Sequence, residues 1–219
     1  MASQHFIIAD DHPLFRTALK QVLAREMPDV ALSEAGTLEE IISLLANGPE
    51  PDLILLDLKM PGVQGFSGLA YLRAQYPGIP VVVISAVEEP SVIRRAISLG
   101  ASGFIPKSAS AEQMQKALQD VLAGEVAVPE DVSLDVADDE ELEEMARRLS
   151  TLTPQQMRVL MMLREGLLNK QIAYELGVSE ATIKAHVSAI LQKLNVESRT
   201  QAVIAASRVD GVLIAPDRI

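Results

Sequence analysis

The 219-residue sequence contains no cysteine. This absence excludes a disulfide framework, a zinc site with thiolate ligands and a cysteine nucleophile. The sequence also lacks any apolar run close to the roughly 18 residues that a membrane-spanning helix requires. Its first residues lead into a strand pattern, with no charged-then-apolar signal peptide before it. We therefore expect a soluble cytoplasmic protein that makes no membrane contact.

Charge is distributed unevenly along the chain. The net charge is −11, and hydrophobic residues make up 48% of the sequence, which is enough for a sizeable core. Residues 1–124 carry a net charge of −5, residues 125–150 of −8 and residues 151–219 of +2. Because only the last segment is basic, the segments are expected to meet different partners. These boundaries divide the chain into an N-terminal domain, an acidic linker and a C-terminal domain.

The stretch from Pro51 to Gly62 contains a short strand pattern that ends in a carboxylate. Leu53 to Leu56 are apolar without interruption, as in strands that are covered on both faces of a parallel sheet. Asp57 follows directly, and Pro61-Gly62 is a turn signal. Asp57 is thus predicted at the carboxyl end of a central strand, where open α/β sheets place ligands and chemistry.

Five strand patterns alternate with helical patterns in the N-terminal domain. The predicted strands are 6–9, 30–35, 52–58, 80–85 and 103–106. The alternation predicts an α/β domain with a doubly wound, flavodoxin-like, five-stranded parallel sheet in the order 2-1-3-4-5. In that order the polar residues at the strand ends meet at one edge of the sheet: Asp10, Asp11, Asp57, Ser85 and Lys107.

Three carboxylates in one pocket repel one another unless a cation lies between them. Oxygen ligands without His or Cys favour Mg²⁺, which accepts water and phosphate oxygens as further ligands. Mg²⁺ and Lys107 together would neutralise a phosphoryl group, and attack by Asp57 would give an acyl phosphate. A single Asp at a strand end is more often a helix cap or a solvated loop residue. The coincidence of five polar residues at one edge favours phosphoryl chemistry.

This set of motifs resembles the receiver domain of bacterial two-component response regulators over residues 5–124. The resemblance implies that Asp57 accepts a phosphoryl group from a sensor histidine kinase. It also implies that Asp10, Asp11, Asp57 and the backbone carbonyl of Lys59 bind Mg²⁺.

The resemblance further assigns residues at the fourth and fifth strands. Ser85 and Lys107 are expected to contact the phosphoryl group, and Phe104 is expected to rotate inward on activation. The family often has proline directly after the lysine, whereas here Ser108 follows Lys107 and Pro106 precedes it.

The linker, residues 125–150, is strongly acidic. We expect an extended tether to about Val136 and then a short helix that carries Leu142, Met145 and Leu149 at helical spacing. Such a block of like charges is usually a solvated face or a tether. A second hypothesis is that it electrostatically masks the basic C-terminal domain in the resting state.

The C-terminal domain, residues 151–219, is predicted to be all-α with four helices. These helices are expected to start at the capping residues Thr153, Asn169, Ser179 and Ser198. The second and third helices are separated by Gly177-Val178-Ser179, which is the short turn of a helix-turn-helix motif.

The third helix of this domain has two different faces. Its core face carries Ile183, Val187, Ile190 and Leu194. The opposite face, which suits a DNA major groove, carries Thr182, Lys184, Ala185, Ser188 and Gln192. The flanking cations expected to contact phosphates are Lys170, Lys193 and Arg199. Charge alone does not separate this interpretation from a small helical bundle with an ordinary solvated face. A net charge of +2 is weak for DNA binding, so a dimer is expected to supply the affinity.

The motifs around Leu152-Thr153-Pro154, Asn169–Ala173 and Val178–Val187 resemble the LuxR-type helix-turn-helix domain over about residues 150–212. Together with the receiver, the whole chain is similar to response regulators of the NarL/FixJ type. The resemblance implies a phosphorylation-dependent transcriptional regulator, not an enzyme, that binds double-stranded DNA as a homodimer. RNA polymerase is a further partner to consider. The family often carries Glu where Gln156 and Gln171 stand, and larger or charged residues where Ala185 and Ser188 stand.

Two alternatives remain open from the sequence. A small phosphatase would use Asp57 as a covalent nucleophile, and it would turn over a phosphomonoester. A DNA-binding regulator whose receiver serves only for dimerisation or protein docking would keep full activity after Asp57→Ala. The missing second acid beside Asp57 disfavours the first alternative, and the intact set of pocket residues disfavours the second.

Overall fold

The computed structural model describes residues 4–61, 63–134, 144–145, 147–149 and 151–210. In the described part of its N-terminal domain, five long strands alternate with five helices, and two short strands form a separate hairpin. The strands are β1 (His5–Ala9), β2 (Ala31–Ala35), β3 (Leu53–Asp57), β4 (Lys59–Met60), β5 (Val63–Gln64), β6 (Val81–Ser85) and β7 (Gly103–Pro106), of which β4 and β5 form a separate hairpin. The helices are α1 (Pro13–Glu26), α2 (Leu38–Asn47), α3 (Ser67–Gln75), α4 (Pro90–Ser98) and α5 (Ala111–Leu122).

The five long strands form one parallel sheet in the order β2-β1-β3-β6-β7. Counted over the long strands alone, this is the predicted order 2-1-3-4-5, which is confirmed. The short antiparallel hairpin of β4 and β5 was not predicted, because two-residue strands carry no alternation that a pattern can detect. The hairpin follows Asp57 directly and places Lys59 beside it.

Alternate residues of the central strands enter two different cores, as the pleat of a strand requires. Phe6 and Ile8 pack with α1 and α5, whereas Ile7 and Ala9 pack with α2, α3 and α4. Every residue of β1, β3 and β6 is buried. This burial on both faces explains why the strand patterns are apolar without alternation.

The first part of the linker pairs with the edge of the sheet. We call residues 126–132 the strap. Ala127 forms a parallel bridge with Gly103, and its N–H donates to the carbonyl of Ser102 at 3.2 Å. Phe104 N–H donates to the carbonyl of Ala127 at 2.8 Å. The start of the predicted tether therefore has fixed backbone partners on the receiver.

The acidic helix expected in the linker lies mostly outside the described residues. Glu144, Met145 and residues 147–149 are helical. The acidic run from Asp138 to Glu143, on which the masking hypothesis depends, is not described.

The C-terminal domain consists of α6 (Pro154–Arg164), α7 (Asn169–Glu175), α8 (Glu180–Leu194) and α9 (Arg199–Asp210). Thr153 caps α6 as predicted, because its hydroxyl accepts from Gln156 N–H at 3.3 Å. Ser179 likewise caps α8 and accepts from Thr182 N–H at 3.1 Å. The prediction that Asn169 caps α7 is wrong by one residue. Asn169 is the first helical residue, and the Gln171 side chain accepts from Leu168 N–H at 2.7 Å instead.

The two domains touch through helix α3 of the receiver. This helix packs against α6 and α9, and the apolar core below it continues into the C-terminal domain. Gln75 Nε2 also donates to the carbonyl of Leu152 at 3.4 Å. Burial raises the pKa of Tyr71 on α3 to about 12, with the charge of Tyr76 acting in the same direction and that of Arg158 on α6 opposing it. Among the described residues, no helix combines the length and apolarity needed to cross a bilayer.

Candidate functional site: an acidic pocket and a helix-turn-helix face

The polar residues predicted at the strand ends do lie at one edge of the sheet. Asp10 follows β1, Asp57 and Ser85 end β3 and β6, and Lys107 follows β7. Asp10, Asp57 and Ser85 are almost completely buried, with exposed fractions of 2%, 3% and 1%. Because neighbouring parallel strands end at the same level, residues far apart in sequence share one pocket.

Lys107 joins two of the carboxylates. Its Nζ lies 2.6 Å from Asp10 Oδ2 and 2.8 Å from Asp57 Oδ2. The same ammonium lies 4.5 Å from the centre of the Phe15 ring on α1, a cation–π distance. The lysine is thus fixed by two charges and one aromatic face. Phe15 was not singled out from the sequence, where it is only one apolar residue of an amphipathic helix.

Electrostatics in the pocket shift two pKa values. Burial raises the pKa of the Asp57 carboxyl, and the Lys107 ammonium offsets only part of that effect, while the charge of Asp10 adds to it. Burial alone would lower the pKa of Lys107, but its hydrogen bonds and charge interactions with Asp10 and Asp57 together outweigh burial and raise it. Lys107 therefore stays protonated between the two carboxylates.

Four side chains could hold a cation at this edge. The candidate ligand atoms of Asp10, Asp11, His12 and Asp57 all lie within 4.8 Å of one another. Three carboxylates form a hard oxygen set that fits Mg²⁺. His12, which was not singled out from the sequence, lies beside this set: its Nδ1 is 2.7 Å from Asp11 Oδ1 and 3.2 Å from Asp10 Oδ1. The signal in the sequence was the position of His12 directly after Asp10 and Asp11.

The remaining receiver residues lie around this pocket. Lys59 N–H donates to Asp57 Oδ1 at 3.2 Å, so the β4–β5 hairpin holds one oxygen of the carboxylate. Ser85 Oγ accepts from Val87 N–H at 3.1 Å. Phe104 is buried, with 2% of its surface exposed, and occupies the core between the sheet and α2, α3 and α4.

The face of α8 opposite the core is exposed. Ile183, Ile190 and Leu194 are completely buried on the core side of α8. All five residues predicted to face the major groove are exposed: Thr182, Lys184, Ala185, Ser188 and Gln192. The burial pattern therefore separates the two faces of α8 as the sequence predicted.

The three flanking cations differ in their surroundings. Lys170 is exposed at the start of α7. Lys193 Nζ donates to the carbonyl of Thr151 at 2.6 Å and to Gln156 Oε1 at 2.9 Å, and Arg199 donates to the carbonyl of Leu167. Lys193 and Arg199 therefore also hold the helices of the domain together, which the sequence did not reveal.

Comparison with known families agrees with this architecture. Residues 6–119 match the model of the response regulator receiver domain, and residues 150–206 match that of the bacterial regulatory proteins of the luxR family. The chain therefore belongs to the response regulators that join a receiver to a LuxR-type helix-turn-helix. Within that class it is a DNA-binding response regulator of the NarL/FixJ type.

The chain matches individual relatives over nearly their whole length. The chain is 44% identical over 210 residues to the glycerol metabolism activator of Pseudomonas putida, covering 93% of this chain and 95% of that protein. It is 34% identical to the nitrate/nitrite response regulator NarL of Escherichia coli K12, covering 90% and 92%. RcsB of Salmonella enterica serovar Typhimurium, solved on promoter P1flhDC with a phosphomimetic, is similar at 25% identity and a TM-score of 0.55, covering 94% and 99%.

Proposed function

We propose that this chain is a phosphorylation-dependent transcriptional regulator whose phosphoacceptor is Asp57. The supporting observation is the buried Asp10–Lys107–Asp57 arrangement at the sheet edge, in a chain that also presents an exposed recognition helix. A carboxylate oxygen of Asp57 would attack the phosphorus of a sensor kinase's phosphohistidine. The P–N bond breaks as the new P–O bond forms, and the leaving imidazole takes up a proton.

Mg²⁺ would be held by Asp10, Asp11 and Asp57 together with the backbone carbonyl of Lys59, and when bound it neutralises charge on the phosphoryl oxygens. Lys107 would exchange its ion pair with Asp57 for one with the phosphoryl group, since its ammonium already lies beside the nucleophile. Ser85 would supply a hydroxyl donor, and Phe104 would respond to its movement. Asp10, Asp57 and Ser85 are buried, which limits the access of water to the acyl phosphate.

At the other end of the chain, α8 would enter the major groove of double-stranded DNA. Lys184, Ala185 and Ser188 would face the bases, and Thr182 and Gln192 would extend that surface. The candidates for phosphate contact are Lys170, Lys193 and Arg199. The small positive charge of this domain calls for a homodimer on paired half-sites.

We also infer a division into a receiver (1–124), an acidic linker (125–150) and a DNA-binding domain (151–219). The chain would act in the bacterial cytoplasm, where the DNA lies and where it would meet RNA polymerase. We infer a regulator rather than an enzyme. The chain would receive the phosphoryl group from a kinase, and the outcome of that transfer would be a changed affinity for DNA.

Genome-wide chromatin binding of the wild type beside Asp57→Ala tests the proposal under the conditions that activate the kinase. Discrete sites that disappear in the variant are expected, and promoters of glycerol metabolism are the first to inspect, given the Pseudomonas putida relative. Sites that persist unchanged would remove the phosphorylation switch. An absence of sites in both proteins would refute DNA-binding regulation.

Substitutions on α8 test the readout of bases. Lys184→Ala should weaken binding to a recovered promoter by about tenfold, because a base contact is worth about 1–3 kcal/mol. The loss of its exposed ion pair with Glu180 should leave folding unchanged. Lys170→Ala is the matched control and should weaken specific and random DNA equally, with a smaller salt dependence. A Lys184→Ala variant that loses affinity for promoter and random DNA by the same factor would contradict the assignment of Lys184 to the bases.

A further inference from the structure

The structure assigns the edge of β7, next to α5, as a docking surface for the chain's own strap, and we propose that strap docking couples Asp57 to DNA binding. This inference rests on the proposed phosphorylation of Asp57. In the resting chain the strap is docked and restrains the linker. Phosphorylation weakens docking, which frees the linker and the DNA-binding domain behind it.

The docking is visible as backbone pairing and burial. Two hydrogen bonds connect Ala127 to Ser102 and to Phe104, at 3.2 and 2.8 Å. Ala127 and Val132 are buried, with exposed fractions of 5% and 7%, so the strap is packed at its second and its last residue. Glu130 also lies 3.5 Å from Lys116 on α5. This exposed ion pair adds little stability, but it is consistent with the docked position of the strap.

Gly103 leaves the space that the strap occupies. A Cβ at this position would lie 3.0 Å from the Ala127 carbonyl oxygen and 3.2 Å from Ala127 Cβ. It would also lie 3.1 Å from Val121 Cγ2 on α5. Because real Cβ contacts are rarely so short, a methyl group at residue 103 would require the strap or Val121 to move by a few tenths of an ångström, which strains the strap–β7 bonds.

Open space lies beside the docked strap. A cavity of about 500 Å³ lies between the strap, β7 and α5. Val126 at the start of the strap is half exposed. The strap is thus held by two backbone hydrogen bonds and by the packing of Ala127, Val128 and Val132, a small set of contacts that can open locally as a reversible switch requires.

Strand β7, which pairs with the strap, also leads directly into the acidic pocket. Lys107 follows β7 directly and is paired with Asp57 and Asp10. Phe104, the expected switch residue, is the residue whose N–H is bonded to the strap. When a phosphoryl group changes the partners of Lys107, the backbone of β7 shifts, and the strap bonds shift with it. The reverse linkage must hold as well: removing the strap alters the pocket.

Hydrogen exchange of the backbone amides tests docking directly. In the full chain, the amides of Phe104 and Ala127 should be protected, because each donates across the strap–β7 contact. Acetyl phosphate with Mg²⁺ should reduce this protection at least fivefold, while the amides of β3 stay unchanged. Exchange of Ala127 at the rate of an unstructured peptide in the resting chain would overturn docking.

Gly103→Ala tests the functional consequence, and Gly78→Ala is the matched control because its new methyl group meets no atom within 4 Å. Gly103→Ala should lose the protection of Ala127 and bind a recovered promoter about tenfold more tightly without phosphorylation, a typical allosteric coupling. The response to acetyl phosphate should shrink by the same factor. Lys116→Glu, which repels Glu130 without touching the core, should act in the same direction more weakly.

The outcomes separate this proposal from the one on which it rests. Mass spectrometry of each protein after acetyl phosphate treatment shows whether Asp57 carries a phosphoryl group. If it does not, the proposed function fails, and the resting exchange rates still decide docking. If Asp57 is phosphorylated and Gly103→Ala loses strap protection yet responds like Gly78→Ala, strap coupling is refuted.

Discussion

At the scale of single residues, the pocket is built around a carboxylate that is costly to bury. Asp57 is 3% exposed, and its partners are the Lys107 ammonium and the Lys59 N–H. The raised pKa of Asp57 shows that these partners do not fully replace water. The pocket therefore sacrifices stability in the resting chain for a nucleophile that is ready to be neutralised by a cation.

Asp57→Asn should stabilise the metal-free chain at pH 7. The amide removes the buried charge, and Lys107 keeps its partner Asp10. We expect a gain of about 1 kcal/mol, the usual scale for an incompletely compensated buried polar group. Thermal unfolding should then shift upward by about 2–4 °C for a chain of this size.

The sign of the pH dependence follows from the raised pKa. Folded Asp57 holds its proton more tightly than unfolded Asp57, so protonation favours folding below its ordinary pKa. That contribution is lost as the pH rises through the folded value. The advantage of Asp57→Asn should therefore shrink when melting curves are repeated at decreasing pH. An advantage that grows toward acid pH would contradict a raised pKa.

Phe15→Leu should slow phosphorylation of Asp57 by acetyl phosphate about fivefold, because a cation–π contact is worth about 1 kcal/mol. The ring faces the Lys107 ammonium from 4.5 Å and holds it independently of the carboxylates. Phe15→Tyr keeps an aromatic face and should retain most of the wild-type rate. The initial rate of acyl phosphate formation is the measurement, and equal rates for both variants would remove this role.

At the scale of helices and strands, long repeating patterns were predictable and local contacts were not. Leu53–Leu56 identified a strand covered on both faces, because burial on both faces requires an apolar side chain at every position. The β4–β5 hairpin and the pairing of Ala127 with Gly103 produce no side-chain pattern in the sequence, since each depends on backbone hydrogen bonds of one or two residues. Lys193 was identified by its charge alone, and its bonds to Thr151 and Gln156 depend on tertiary structure.

The start of α6 offers a test of one of these tertiary contacts. Gln156 accepts from both Thr153 N–H and the Lys193 ammonium. Gln156→Glu keeps an acceptor, favours the helix N-terminus and adds an ion pair. Its free energy of unfolding should exceed that of Gln155→Glu, which gains only the helix dipole, by about 0.5–1 kcal/mol. Chemical denaturation measures the difference, and equal effects would show that Lys193 contributes nothing to the cap.

At the scale of the whole molecule, the receiver covers the flank of the DNA-binding domain and leaves its recognition face open. Helix α3 contacts α6 and α9, whereas the outward side of α8 is exposed. The resting chain is thus not prevented from touching DNA by its receiver. The contact instead fixes the orientation of one DNA-binding domain, which would oppose pairing on a two-fold-related site.

Tyr71→Ala should separate the two domains, because it removes a large buried side chain from the helix that carries the contact. Small-angle X-ray scattering should show a larger radius of gyration than for the wild type. Tyr174→Ala is the matched control, since Tyr174 is 88% exposed on α7 and should leave the dimensions unchanged. A compact Tyr71→Ala chain would show that contacts other than this side chain hold the domains together.

The tyrosines have a consequence for how the molecule can be observed. The chain contains no tryptophan and three tyrosines. Tyr71 is buried on α3, Tyr76 lies just after that helix, and Tyr174 is in solvent. Near-ultraviolet absorbance and fluorescence therefore come mainly from phenol rings, two of which belong to the region where the domains meet. Separation of the domains should appear as a change in the phenol spectrum of the unlabelled protein, on the timescale of a stopped-flow mixing experiment.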